Sequence, residues 1–308
     1  LKGNRQQAAF GSEERSMNVM AAVLLLGSLA VMASAQEPSA KGVNQEPKLD
    51  AYIEQSAKGL NFYSLERERE LGRWAAANLE RALPIVHEPK LDAYIAGLGA
   101  TLATYAKSPF TYTFTVYEDR RPGTEPAGAG AVMPMDAFQG RAGEPVAVAG
   151  GPIFIPLSLL AAAPNEAVFA FQLAHAMAHI ALRHATKQAT RTELMGLDAS
   201  RAQNTAVAYR RTTAVPLGVL AFSRAFEREA DYVALRIVTQ AGYSPEAMAA
   251  YLSGLPAPEK GVGVFSARPT SVERSKAIRA KFESLPAATY TAATGGFAEA
   301  SAIAASVH

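Results

Sequence analysis

His175 and His179, in Phe171-Gln-Leu-Ala-His-Ala-Met-Ala-His179, are the residues of this chain best spaced for chemistry. On a helix, positions i and i+4 share one face about one turn apart. Two imidazoles so placed can grip a zinc ion through nitrogen at about 2.0–2.1 Å. Alone, the pair reads equally well as two partly buried histidines bonded to backbone carbonyls. A second pair shifts the balance. Glu227 and Asp231, in Ser223-Arg-Ala-Phe-Glu-Arg-Glu-Ala-Asp231, are also four apart. A glutamate completes a His₂Glu set, which leaves a fourth position open for water. An aspartate one turn further on can accept the free N–H of a ligand histidine and fix its tautomer. The plain alternative for the acidic pair is a solvated helix face balanced by Arg224 and Arg228. His184 lies nine positions after His175. On a continuous helix, at about 100° per residue, it points away from the pair and is set aside as a ligand.

These side chains need two helices to hold them. One is expected from about Asn165 to Gln188, the other ends near Gly242, and the segment from Ala189 to Pro216 joins them. Upstream, Ser64 is a suitable N-cap for a helix whose apolar face is Leu71, Trp74, Ala75, Leu79 and Ala82. Pro89 opens another, with Leu91, Tyr94, Ile95, Leu98 and Leu102 at helical spacing. Phe110 to Tyr117 alternates strictly, placing Phe110, Tyr112, Phe114 and Val116 on one face of a half-buried antiparallel strand. Short apolar runs at Ala131–Met133 and Val146–Val148, among Gly and Pro, add to a small antiparallel sheet. The fold class read from this pattern is α+β, mostly helical. The octapeptide Glu-Pro-Lys-Leu-Asp-Ala-Tyr-Ile occurs at Glu46–Ile53 and again at Glu88–Ile95, too few copies for a solenoid.

The chain has 308 residues, 49% of them apolar, enough for a sizeable core. Thirty basic residues against 28 acidic ones create no field that would attract nucleic acid. The absence of cysteine excludes disulfides, thiolate metal sites and a cysteine nucleophile. Histidine chemistry is limited to His87, His175, His179, His184 and His308. Basic residues precede an apolar run from Met17 to Met32 that ends in Ala33-Ser-Ala35, the layout of a secretory signal. The expected organisation is a signal peptide over 1–35, a linker over 36–60, one domain over 61–288 and a loose tail over 289–308. An uncleaved signal would instead anchor the chain to the membrane by its N-terminus.

The acidic motif Ser223-Arg-Ala-Phe-Glu-Arg-Glu-Ala-Asp231 resembles that of the zinc metallopeptidases that include the bacterial HtpX and BepA proteases and the CAAX prenyl endopeptidases. So do Ala241-Gly-Tyr-Ser-Pro-Glu-Ala-Met248, Asn61-Phe-Tyr-Ser-Leu-Glu66 with Leu71-Gly72, and Asn165-Glu166. The motifs occur in order over roughly 60–285, and the likeness is greatest to the periplasmic BepA-like branch. The resemblance implies a zincin-like domain with a small antiparallel sheet beside the active-site helix. It also implies one zinc held by His175, His179 and Glu227, with Asp231 behind the ligands. The implied activity is peptide-bond hydrolysis in quality control of the cell envelope.

Three positions depart from that family's pattern. Its first motif has Glu directly after the first His, where this chain has Ala176. In such peptidases that Glu takes a proton from the zinc-bound water and passes it to the leaving amine. A positioned base supplies typically 10²–10⁴-fold, so its loss costs roughly 3–5 kcal/mol of transition-state stabilisation. The family's substrate-pairing Ala-x-Pro-Gly-Gly strand is Ala147-Val-Ala149-Gly150-Gly151 here, with Val146 before it. Arg268 stands where the family has a His facing the metal, and can stabilise an oxyanion but cannot shuttle a proton. Natural loss of activity accounts for all three departures together, and a laboratory change at 176 for only one. Two functions follow as expectations. One is a metalloendopeptidase with weakened or lost hydrolysis. The other is a pseudopeptidase that holds extended or unassembled polypeptide along Val146–Gly151 by strand addition.

Overall fold

The computed structural model describes residues 59–119, 144–194, 217–255, 269–284, 289–290 and 295–307. The expected signal peptide, nearly all of the linker, the first octapeptide copy, the run at 131–133, the segment 195–216 and Arg268 lie outside the described residues. Among those described, no helix is long and apolar enough to cross a membrane.

Helix α1 (Leu65–Ala82) starts where Ser64 accepts a hydrogen bond from the Arg67 backbone N–H. Its buried stripe is Glu68, Gly72, Ala75 and Leu79, while Trp74 is 49% exposed. The apolar face expected from the sequence is therefore rotated, because position 68 buries a carboxylate that has found a partner. Strand β1 (Ile85–Val86) leads into α2 (Pro89–Ala106), whose Leu91, Ile95, Leu98 and Leu102 are buried as their spacing requires. Strands β2 (Thr113–Tyr117), β3 (Val146–Ala147) and β4 (Pro152–Pro156) complete a sheet of order β1-β2-β4-β3.

That sheet is mixed, where alternation predicts an antiparallel one. β1 and β3 run antiparallel to their neighbours, but the central pair β2 and β4 is parallel, with Thr115 opposite Phe154. Side chains that alternate along a strand are both buried only where other elements cover both faces. Val116 and Tyr117 are both buried, with Tyr117 among Ala75 and Leu79 of α1, and α2 also packs on β2. Residues 110–112 precede the strand, and the Tyr112 hydroxyl donates to the Met177 carbonyl at 3.0 Å.

The remainder is helical: α3 (Leu157–Ala162), α4 (Glu166–Ala181), α5 (His184–Leu194), α6 (Leu217–Gln240), α7 (Glu246–Gly254), α8 (Ser271–Glu283) and α9 (Phe297–Ser306). α4 is the centre of the fold. Asn165 caps it through the Val168 N–H, and it is apolar on nearly every side, the pattern of a buried helix. It packs most extensively on α6, and also on α2 and β3. Phe154, Phe169 and Phe171 are fully buried between sheet and helices.

The C-terminal segment, expected to be a loose tail from 289, carries α9. Ala300 and Ala304 are buried, α9 lies against α3 and α2, and Lys90 Nζ meets Glu299 Oε1 at 2.6 Å. Its small residues are what permit close helix contact, which composition alone makes look like tail. The expected connection from Ala189 also begins later, because α5 continues to Leu194.

Candidate metal centre

α4 carries His175 and His179 on the face that meets α6, and α6 answers with Glu227 and Asp231. The Nε2 atoms of the two histidines face each other 3.0 Å apart. Glu227 Oε2 lies 3.6 Å from His175 Nε2, and Glu227 Oε1 lies 3.6 Å from His179 Nε2. Among the described residues, this trio is the group able to hold a metal ion, its ligand atoms all within 4.8 Å of one another. Zinc bonds of about 2.0–2.1 Å at tetrahedral angles require ligand atoms roughly 3.3–3.4 Å apart. The separations of 3.0, 3.6 and 3.6 Å, the last two to different oxygens of Glu227, lie near that value, and two nitrogens with a carboxylate are a donor set zinc prefers. The residues fit the ion.

Asp231 stands behind His175, with Oδ1 2.9 Å from Nδ1. It is itself held by Arg274 of α8, whose Nε donates to Oδ2 at 2.8 Å and whose Nη2 donates to Oδ1 at 2.6 Å. Burial alone would raise the Asp231 pKa. The bidentate guanidinium and His175 overcome it and pull the carboxyl down to about 2. Burial likewise opposes a charge on His175, but Asp231 and Glu227 outweigh it and raise the pKa of the imidazole. Arg274 has no spacing signal in the sequence, since it reaches the site from a separate helix. Its helix is fixed by a capping box, in which Thr270 accepts from the Glu273 N–H and Glu273 accepts from the Thr270 N–H.

His184 corrects an expectation. α4 stops at Ala181, and Arg183 adopts a left-handed conformation (φ 60°) before α5 begins at His184. The phase of one continuous helix is lost, and His184 turns back so that its Nδ1 lies 3.0 Å from His179 Nδ1. Non-glycine residues rarely hold this backbone conformation. Here Arg183 is pinned, with Nε donating to Glu68 Oε2 at 2.7 Å and Nη2 donating to the Tyr63 carbonyl. Glu68 Oε2 also accepts from Thr186 Oγ1 at 3.0 Å. The buried carboxylate of α1 thus clamps the corner that aims His184. With no glycine at 182–183, nothing in the sequence marks the break. Burial, then the nearby Lys187 charge, drives the His184 pKa well below its ordinary value.

Ala176, next to His175, is 3% exposed and presents a methyl group. Of the six residues expected to pair with substrate, only Val146 and Ala147 form a strand, β3, at the sheet edge. Val148, Ala149, Gly150 and Gly151 make a turn in which the backbone of Val148 and Gly151 is already engaged. Val148 N–H donates to the Pro152 carbonyl, Gly151 N–H to the Val148 carbonyl, and Thr113 N–H to the Gly151 carbonyl. The turn lies tight on α1, where a Cβ on Gly72 would come within 1.9 Å of the Ala149 carbonyl oxygen.

A buried helix bearing two histidines, crossed by a second bearing a glutamate, with a small sheet alongside, defines a metallopeptidase-type domain. The chain belongs to peptidase family M48, whose sequence pattern it matches over residues 89–281. That family consists of zinc metallopeptidases.

Proposed function

We propose that this chain holds one zinc ion at His175, His179 and Glu227 and is an attenuated metalloendopeptidase of the BepA-like branch, working in the bacterial cell envelope. The observation that carries the reading is the convergence of three ligands beside a methyl group at 176. Zinc, when bound, supplies Lewis-acid polarisation and activates water at neutral pH. Asp231, kept ionised by Arg274, orients His175. Ala176 has no atom able to accept a proton, so transfer from water to the leaving amine has no carrier at the position the family pattern assigns to it. Binding of polypeptide does not need that carrier.

A second reading, a pseudopeptidase for extended or unassembled envelope polypeptides, is favoured by β3. It is one of the two edges of the described sheet, packs beside α4, and offers backbone groups for strand addition. Export by residues 1–35 to the periplasm, or retention there by an uncleaved N-terminal anchor, completes the proposal, and fractionation of expressing cells distinguishes the two.

The test is metal analysis of the purified chain with fluorescent unfolded casein as probe. The expected result is about one zinc per chain, anisotropy-detected binding of casein, and very slow cleavage. Zinc-dependent turnover in the ordinary enzyme range, about 1 s⁻¹ or more, would overturn the attenuation. A chain that takes up no zinc would overturn the metal reading.

A further inference from the structure

His184 and Glu229 are absorbed neither by the ligand set nor by the Asp231–Arg274 pair. We infer that they are positioning residues that hold His179 in the one tautomer able to bind a metal. The inference rests on the metal reading above.

The two ligand histidines are supported differently. His175 has a carboxylate directly behind it. Behind His179 stands a second imidazole, and a carboxylate only beyond that. His179 Nδ1 lies 3.0 Å from His184 Nδ1, and His184 Nε2 lies 3.1 Å from Glu229 Oε2. The His184 ring has little freedom. Its side chain is 4% exposed, and it stacks on Phe226 with centroids 4.1 Å apart and planes 11° apart. The His179 ring meets it edge-on, at 80°.

Proton accounting gives this row a direction. A neutral imidazole has one N–H and one bare nitrogen. Glu229, as a carboxylate, only accepts, so the His184 proton sits on Nε2 and its Nδ1 is bare. A bare His184 Nδ1 requires a donor, so the His179 proton sits on Nδ1. His179 Nε2 is then left bare, and this is the atom that faces His175 Nε2 and Glu227. Were the row reversed, His179 Nε2 would carry the proton and could not ligate. Glu229 therefore selects the ligand-competent form of His179 from two residues away, through a ring that packing keeps in place. Outer partners of this kind typically change metal affinity 10–100-fold.

The experiment measures zinc affinity by competition with a chromophoric chelator, for the full chain and three variants. His184→Phe keeps the stacked ring and loses both nitrogens, and should bind zinc about 10–100-fold more weakly. His184→Asn retains an acceptor near the Nδ1 position and should recover most of that loss. Glu229→Leu, which removes the selecting carboxylate, should weaken binding in the same direction as His184→Phe. Metal-free melting curves establish that the variants fold. In the zinc-loaded unmodified chain, imidazole ¹⁵N spectra should show His184 protonated at Nε2. Unchanged affinity in folded His184→Phe, or a proton on His184 Nδ1, would overturn the inference while leaving the zinc site standing. If His184→Phe does not fold, the ¹⁵N spectrum of the unmodified chain decides. An unmodified chain that binds no zinc would overturn the underlying metal reading instead.

Discussion

Ala176→Glu should raise peptidase activity by supplying a proton carrier where the parent has only a methyl group. The residue sits beside His175 on α4 and is 3% exposed, so a longer side chain must find both room and a partner. Gln172 lies one turn earlier on the same helix, and its buried Nε2 has no hydrogen-bond partner among the described residues. A carboxylate at 176 gives that amide an acceptor. A hydrogen bond to a charged group contributes roughly 1.5–3 kcal/mol, which offsets much of the desolvation penalty, so the variant should fold. The gain expected from a positioned base is 10²–10⁴-fold, equivalent to about 3–5 kcal/mol at the transition state. The assay is cleavage of fluorescent casein by zinc-loaded parent and variant, with a chelator-treated sample of each as control. A rate ratio near one with both proteins folded, loaded and cleaving refutes the assignment of the missing base to position 176, whereas a folded, loaded variant that still does not cleave shows that Arg268 or the altered Ala149 strand is disabling as well.

Three further outcomes follow from the packing around the site. Arg274→Met removes the guanidinium from a buried carboxylate it holds at 2.6 and 2.8 Å. The loss should be about 3–5 kcal/mol, or roughly 6–20 °C in Tm by calorimetry, and a change under about 2 °C would contradict it. Asp231 has its pKa depressed from 3.8 to about 2, so its contribution is complete above pH 3.8 and is lost as pH falls through about 2. Urea unfolding of metal-free protein at about pH 5 and pH 2 should show the parent losing on the order of 2 kcal/mol more than Asp231→Asn. Gly72→Ala puts a methyl group 1.9 Å from the Ala149 carbonyl oxygen, forcing α1 and the turn before β4 apart. Its expected cost is ~1–3 kcal/mol by denaturant unfolding, with weakened casein capture if β3 shifts as well.

The local signals in this sequence are of two kinds, and both survive folding. Caps and periodicity place helix starts at Ser64, Pro89 and Asn165, because those signals act within one turn of chain. The i, i+4 pairs His175/His179 and Glu227/Asp231 each share a helical face for the same reason. What could not be read is what depends on residues distant in the chain. The parallel pairing of β2 with β4 joins strands 39 residues apart in register, from Thr113 to Pro152. Alternation reports only that one face is buried, not the direction of a neighbour. The buried Glu68 breaks the apolar stripe of α1 because Arg183, 115 residues away, neutralises it.

Spacing within each helix thus offered the candidates, and the family resemblance made His175, His179 and Glu227 the implied ligand set, which the fold brings together. Tertiary structure decided what stands behind them. Arg274 arrives from α8, and His184 swings back through a left-handed Arg183 pinned by Glu68 of α1 and by the Tyr63 carbonyl. Local propensity would have carried α4 straight through that corner. A buried ion pair with a remote helix ended it instead, because a charge removed from water must meet its partner wherever the fold supplies one.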